Sequence, residues 1–129
     1  MTIACAHCIL FVRDQAVSTA FYRAALALEP RLNVPGMTEF ELWPQLVLGL
    51  MPEAGVVRLL GQVHNPALGC GGPRAELYLV VDDPAAYHAR AIASGATELS
   101  PLSPRDWGHD ASYILDPNGH VLAFARLRG

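Results

Sequence analysis

The chain has 129 residues, of which 52% are hydrophobic and 16% charged, so it is long enough and apolar enough for one folded domain. Its formal net charge is −3, all its basic residues are arginine, and no basic cluster exists, which excludes a nucleic-acid partner. No apolar run approaches the roughly 20 residues that span a bilayer, and no secretory leader is recognisable. We therefore expect a cytoplasmic protein with no membrane partner.

The cysteine pattern is the first candidate for chemistry. Cys5, Cys8 and Cys70 are an odd number, which is typical of reduced thiols. Cys5 and Cys8 form a C-x-x-C with His7 between them, a spacing that also occurs in zinc and redox sites. Alternation along a strand turns these two sulfurs to opposite faces, and no second C-x-x-C completes a zinc site. We predict free thiols.

The first half of the chain opens with a strand, AHCILFVRD. Alternation predicts two faces, one with Cys8, Leu10 and Val12, the other with His7, Ile9 and Phe11. Short strands are predicted further on, in TEFELW and QLVLGLM, with a turn at Pro44.

A helix is predicted between these strands, over residues 15–28, with Asp14 as its N-cap and Pro30 beyond its end. An apolar stripe at helical spacing is formed by Val17, Ala20, Phe21, Ala24 and Leu28.

The second half has the same plan. In AELYLVVDD one face carries Leu77, Leu79 and Val81, and the other carries Glu76, Tyr78 and Val80. A second helix is predicted after Asp83 as N-cap, with Pro84 in its first turn and Gly95 just past its end. The strands ASYIL and HVLAFARL follow, joined by a turn at residues 116–119.

The two halves repeat a V-x-D before each helix, which indicates an internal duplication. We predict a single α+β domain, 1–129, with one module at 1–51, a Pro/Gly-rich connection at 52–73 that is mostly loop, and a second module at 74–129. Each module reads β-α-β-β-β, and the two share a curved mixed sheet. Helices cover one face of that sheet, so the opposite face is expected to line a cleft.

Three stretches carry a resemblance to a known family: HCILFVRD with STAFYRAALAL, VVDDPAAYHARAIASGA, and WGHDASYILDPNGHVLAF. In this order and spacing, the chain resembles the glyoxalase, bleomycin-resistance and extradiol-dioxygenase group, the vicinal oxygen chelate superfamily. The resemblance covers nearly the whole chain. It implies paired β-α-β-β-β modules that form a cup, usually in a homodimer.

The resemblance also implies where a metal ion would be held. Its metal-using members place ligands at positions that correspond here to His7, Glu76 and Ala123, and glyoxalase-type members add a glutamate from the stretch at 45–51, which has no ligand here. Alanine cannot bind a metal, so we predict no metal cofactor. The alternative is a divalent ion at His7 and Glu76 in a glyoxalase-, lyase-, isomerase- or dioxygenase-type enzyme. A further alternative is a metal-independent enzyme with Glu76 or His109 as general base.

The pair Trp107–Gly108 followed by an aspartate-proline turn is similar to the metal-free, drug-sequestering bleomycin-resistance branch. This likeness implies a homodimer that sequesters a hydrophobic, aromatic small molecule such as an antibiotic, as a resistance or carrier protein. The charge of −3 favours a neutral planar ligand over bleomycin. Trp43 fits a dimer contact as well as a ligand contact, and Trp107 fits a loop anchor as well. The predicted ligand-binding residues are His7, Ile9, Phe11, Trp43, Glu76, Tyr78, Trp107, His109 and Tyr113.

Overall fold

The computed structural model describes residues 3–69 and 72–128. Cys70 and the end of the predicted connection therefore lie outside the described residues. The described chain falls into two compact units, residues 3–23 with 28–69, and residues 24–27 with 72–128. Each unit contains a four-stranded mixed sheet, so the predicted α+β class is confirmed.

The first unit contains six elements. In chain order these are β1 (Ala6–Val12), α1 (Gln15–Leu26, whose last residues 24–26 belong to the second unit), β2 (Leu32–Val34), β3 (Met37–Trp43), β4 (Leu46–Pro52) and α2 (Glu53–Leu60). Sheet one has the strand order β1-β4-β3-β2. β1 and β4 are parallel, and the other two pairings are antiparallel.

The second unit repeats this topology. Its elements are β5 (Glu76–Val80), α3 (Pro84–Ala93), β6 (Thr97–Pro104), β7 (His109–Leu115) and β8 (Val121–Leu127). Sheet two has the order β5-β8-β7-β6, again with only its first pair parallel. The repeated β-α-β-β-β order confirms the predicted two-module fold, but the described strands form two four-stranded sheets rather than the one shared sheet that we predicted, because no strand of one module hydrogen-bonds with a strand of the other.

The N-caps of two helices are as predicted. The carboxylate of Asp14 accepts a hydrogen bond from the backbone N–H of Val17 at 3.1 Å, and Asp83 accepts one from Ala86 at 3.2 Å. Gly95 has a φ of 109° just past the end of α3, a conformation that glycine adopts without strain.

The apolar stripe predicted for α1 is wrong by about one residue. Val17 is 56% exposed and Leu28 is beyond the helix, which ends at Leu26 well before Pro30. The hydroxyls of Ser18 and Thr19 are buried instead, and Thr19 shares a 2.8 Å hydrogen bond with Thr38 on β3. A hydroxyl can be buried in the core when it has a hydrogen-bond partner. The spacing of apolar residues in the sequence does not reveal such a partner. The buried side is formed by Ser18, Thr19, Phe21, Tyr22, Ala25 and Leu26.

The connection predicted as mostly loop contains helix α2 and two single-turn 3-10 helices, Gln62–His64 and Pro66–Leu68. Pro52 is the residue before the first turn of α2, where a missing backbone N–H costs nothing. The proline therefore marks a helix start rather than a loop. No helix in residues 3–69 and 72–128 is long and apolar enough to span a membrane.

The turn between β7 and β8 is tied by a single buried carboxylate. Oδ1 of Asp116 accepts hydrogen bonds from the backbone N–H groups of Asn118 and His120, each at 2.8 Å. The backbone N–H of Asp116 donates to the carbonyl of His120 at 2.8 Å, and Gly119 has a φ of 89°. This is a three-residue hairpin loop that closes with glycine in the left-handed region.

Candidate functional site

The open face of sheet one carries the three β1 side chains predicted for ligand contact. His7 and Ile9 are exposed and Phe11 is half-buried, whereas Val12 on the opposite face is fully buried. The neighbouring position on β4 is Gly49, where an added Cβ would lie 3.0 Å from Cγ1 of Ile9. The missing side chain lets Ile9 lie across β4.

His7 has a carboxylate beside it that the sequence analysis missed. Nδ1 of His7 lies 3.6 Å from Oε2 of Glu39 on β3. Arg31 binds the other oxygen of Glu39 through both Nε and Nη2, each at 2.9 Å. Such a paired arginine neutralises the carboxylate and repels a cation. Sequence alternation alone places Glu39 on this face, but the pairing of β3 with β4 is needed to bring it near His7.

Sheet two has a different open face, built on small residues. Ala111, Ala123 and Ala125 are all fully buried. Tyr78 on β5 and Tyr113 on β7 both pair with Ala123, one on each side. At the position where the resemblance places a metal-binding glutamate, the structure therefore has a methyl group between two tyrosines.

Hydrogen bonds connect three of the aromatic residues. The hydroxyl of Tyr78 lies 2.6 Å from Nδ1 of His109, and the two rings are stacked with centroids 5.8 Å apart. Nε1 of Trp107 donates to the same hydroxyl at 2.9 Å. Since β8 lies between β5 and β7, the phenol must cross β8 to reach His109. We call Tyr78, Trp107, His109 and Tyr113 the aromatic face.

Trp107 is held by the turn between β6 and β7. The backbone N–H of Arg105 donates to the carbonyl of His109 at 2.8 Å, and Gly108 has a φ of 86°. The loop is thus a three-residue hairpin of the same kind as the Asp116 turn. It places an indole that is 56% exposed at the edge of the aromatic face.

Arg105 is a second residue of this site that the sequence analysis missed. Its Nη2 donates to the carbonyl of Ala111 and to the hydroxyl of Ser100, both at 2.8 Å. The guanidinium carbon lies 5.1 Å from the centroid of the Tyr113 ring, a cation–π contact. An arginine two positions before a tryptophan gave no signal of either contact.

The phenol of Tyr113 is held in its protonated form. Its pKa is raised above the ordinary value of 10.0, first by desolvation and then by the negative charges of Glu76 and Tyr78, with Arg105 acting in the opposite direction. Glu76 itself is exposed on β5 and supplies the carboxylate of this face. Tyr113 is therefore a hydrogen-bond donor over the whole physiological range.

The predicted site residues are divided between the two sheets. His7, Ile9 and Phe11 lie on β1, with Trp43 at the end of β3, 73% exposed. The structure brings the remaining five together on sheet two: Glu76, Tyr78, Trp107, His109 and Tyr113. Ligand contact by any of the nine stays a prediction, as does the choice between dimer and ligand contact for Trp43.

The metal alternative requires a cluster of histidine, cysteine or carboxylate side chains. No group of three or more His, Cys, Asp or Glu side chains in residues 3–69 and 72–128 is placed to hold a metal ion. Cys5 is an exposed free thiol and Cys8 a half-buried one. With alanine at 123, the described residues do not supply the ligand set that the resemblance implies.

The fold and the open sheet faces define a two-module protein of the vicinal oxygen chelate type. A model of the Glyoxalase/Bleomycin resistance protein/Dioxygenase superfamily matches residues 4–124, and the chain belongs to that superfamily. No curated protein matches the sequence.

Solved structures agree with this assignment. A glyoxalase/bleomycin resistance protein/dioxygenase family enzyme from Burkholderia phytofirmans PsJN is 21% identical, with a TM-score of 0.78 over 94% of this chain and 96% of its own. A hypothetical protein from S. aureus is 18% identical, with a TM-score of 0.80 over 98% and 95%. A protein from Agrobacterium tumefaciens, solved by NMR, is 27% identical, with a TM-score of 0.72 over 95% and 96%. These likenesses show the fold.

Proposed function

We propose that this protein binds a flat, aromatic small molecule, such as an antibiotic, on the aromatic face of sheet two and sequesters it without chemical change. The observation that carries the proposal is Trp107. Its indole is 56% exposed, yet its N–H is fixed by the hydrogen bond to Tyr78. A large aromatic surface that is held in place before binding loses little entropy when a ligand stacks on it.

The surroundings of Trp107 support an apolar, planar ligand. The buried alanines at 111, 123 and 125 leave room for aromatic side chains to lie across sheet two. Val80, on the same face of β5, is 62% exposed and adds apolar area. The free polar groups are few, which is typical of small-molecule sites that use area for affinity and a few anchors for orientation. The charge of −3 favours a neutral ligand.

The proposal includes a homodimer. Four large apolar side chains in the segment that follows β4 are more than half exposed, and contact with a second copy would remove their apolar surface from water. They are Leu59, Leu60, Val63 and Leu68. Light scattering of the purified protein tests the dimer directly, and a monomer at micromolar concentration would remove this part of the proposal.

The two tryptophans give a direct test of ligand location. Trp43→Phe leaves Trp107 as the single tryptophan, and Trp107→Phe leaves Trp43. Titration with a panel of planar aromatic natural products is expected to quench Trp107 fluorescence saturably in the first variant. The second variant is the matched control and is expected to show only weak, linear quenching. The proposal fails if no compound quenches Trp107 saturably, or if only Trp43 responds.

A further inference from the structure

The hydrogen bonds of the aromatic face have a fixed direction. An indole nitrogen can only donate, so Trp107 must give its proton to the hydroxyl oxygen of Tyr78. The single proton of Tyr78 then has one acceptor within the described residues, Nδ1 of His109 at 2.6 Å. If His109 donated from Nδ1 instead, the Tyr78 oxygen would receive two donors and its own proton would have no protein partner.

This direction determines the tautomer of His109. With Nδ1 accepting from Tyr78, the neutral imidazole carries its proton on Nε2. Nε2 has no hydrogen-bond partner in residues 3–69 and 72–128, and it is not among the buried unpartnered atoms. The N–H of Nε2 therefore faces solvent as a donor, beside the exposed indole of Trp107.

We infer that His109 presents its Nε2–H as a pre-set donor to the ligand, so that the aromatic face selects flat molecules bearing a carbonyl oxygen over flat hydrocarbons. This inference rests on the proposed binding function and names the chemical class of its ligand. The hydroxyl of Tyr113 has no protein partner in the described part of the chain and provides a second donor. Its raised pKa keeps that donor protonated.

The spacing of His109 and Tyr113 along β7 sets the scale of the expected ligand. His109 and Tyr113 lie on the same face of β7, four residues apart, which corresponds to about 13 Å along a strand. The ring of Tyr78 fills the span between them, because its hydroxyl reaches His109 from the position beside Ala123. We expect a planar polycyclic ligand to stack over this span, with His109 towards one end and Tyr113 towards the other.

The first test concerns His109 alone and needs no ligand. The measurement is a two-bond 1H–15N NMR correlation of the histidine rings, at a pH where the imidazole is neutral. We expect it to show a protonated Nε2 and an unprotonated Nδ1 for His109. The signals are assigned by their loss in His109→Phe. Tyr78→Phe removes the hydrogen bond between the Tyr78 hydroxyl and Nδ1 of His109, and is expected to give a mixture of the two neutral His109 tautomers. A protonated Nδ1 in the unmodified protein overturns the inference.

The second test uses a matched pair of probes, 9-fluorenone and fluorene, which share a flat tricycle and differ in the carbonyl. Binding is followed by the indole N–H signal of Trp107. One neutral hydrogen bond predicts that fluorenone binds about fivefold more tightly than fluorene. His109→Phe is expected to abolish that preference, so that fluorene and fluorenone bind equally well to the variant, while His64→Phe, at an exposed histidine outside the site, leaves the preference as it is.

The outcomes separate the two proposals. Equal binding of fluorene and fluorenone, or a preference that survives His109→Phe, overturns the inference and leaves aromatic binding standing. If His109→Phe does not fold, Tyr78→Phe takes its place, since it keeps an aromatic ring at residue 78 and is expected to reduce the preference several-fold. If neither probe shifts the Trp107 signal and no compound of the natural-product panel quenches Trp107, the binding function fails and the inference fails with it. If the panel binds but fluorenone does not, the inference alone is overturned.

Discussion

Ala123→Glu would place a glutamate where the metal-using relatives are expected to have one. We predict that this substitution destabilises the fold rather than creating a metal site. Ala123 is fully buried on β8, between Tyr78 and Tyr113. The substitution adds a CH2–COO⁻ group to a space with no opening. Either the carboxylate is buried without a partner, or Tyr78 moves away.

Displacement of Tyr78 costs less free energy than burial of an unpaired carboxylate. An unpaired buried carboxylate costs several kcal/mol even after relaxation, whereas Tyr78 loses two hydrogen bonds of about 1 kcal/mol each. Overpacking adds about 1–3 kcal/mol. We expect a loss of about 4 kcal/mol in the free energy of unfolding, which lowers the melting temperature by roughly 15 °C for a domain of this size.

Calorimetry and metal titration test this prediction together. Ala123→Gln separates size from charge and is expected to cost about 2 kcal/mol through overpacking. Val80→Glu puts a carboxylate on the same face at a 62% exposed position and is expected to change stability by less than about 0.5 kcal/mol. An Ala123→Glu protein that is as stable as the original and takes up one divalent ion would refute the reasoning, because it would mean that the tyrosines make room and the other ligands exist.

Three further predictions follow from local contacts. Asp116→Ala is expected to lower the free energy of unfolding by about 2–3 kcal/mol in urea denaturation, because two backbone N–H groups lose a charged acceptor; a loss below about 0.5 kcal/mol would contradict this. Gly49→Val is expected to cost about 2 kcal/mol through its clash with Ile9, and Ile9→Ala should recover part of that cost in a double-mutant cycle; additive effects would exclude the clash. The folded pKa of Tyr113 lies above 10.0, so the unfolded chain loses this proton first and stability falls as pH rises beyond 10.0. Tyr113→Phe should flatten that fall in alkaline denaturation, and an unchanged pH profile would argue against the raised pKa.

Local alternation and helix caps made much of the fold predictable. The two faces of β1 and of β5 follow from period-two spacing, and Asp14 and Asp83 each cap a helix as their positions indicate. Strand β6, which precedes β7, was not predicted from the sequence. β6 contains Pro101 and Pro104, which a sheet tolerates because β6 is an edge strand.

The candidate site was less predictable from the sequence than the fold. The aromatic residues could be named from the sequence, but the bonds among them depend on strand order. Tyr78 meets His109 only because β8 separates their strands and has alanines at the crossing. Glu39 and Arg105 are charged residues that a sequence reading assigns to solvent. Their roles depend on partners, His7 and Tyr113, that are distant in the chain.

The Asp116 turn has a consequence for the aromatic face, although no ligand would touch it. β7 runs between two glycine-closed turns, one that carries Trp107 and one that is tied by Asp116. A slip of β7 by a single residue would point His109 and Tyr113 to the helix side of sheet two. The carboxylate of Asp116 therefore helps to fix the register of β7 against β8. A variant that loses this carboxylate is therefore expected to bind the proposed ligand less tightly as well as to be less stable, although residue 116 lies at the opposite end of β7 from Trp107.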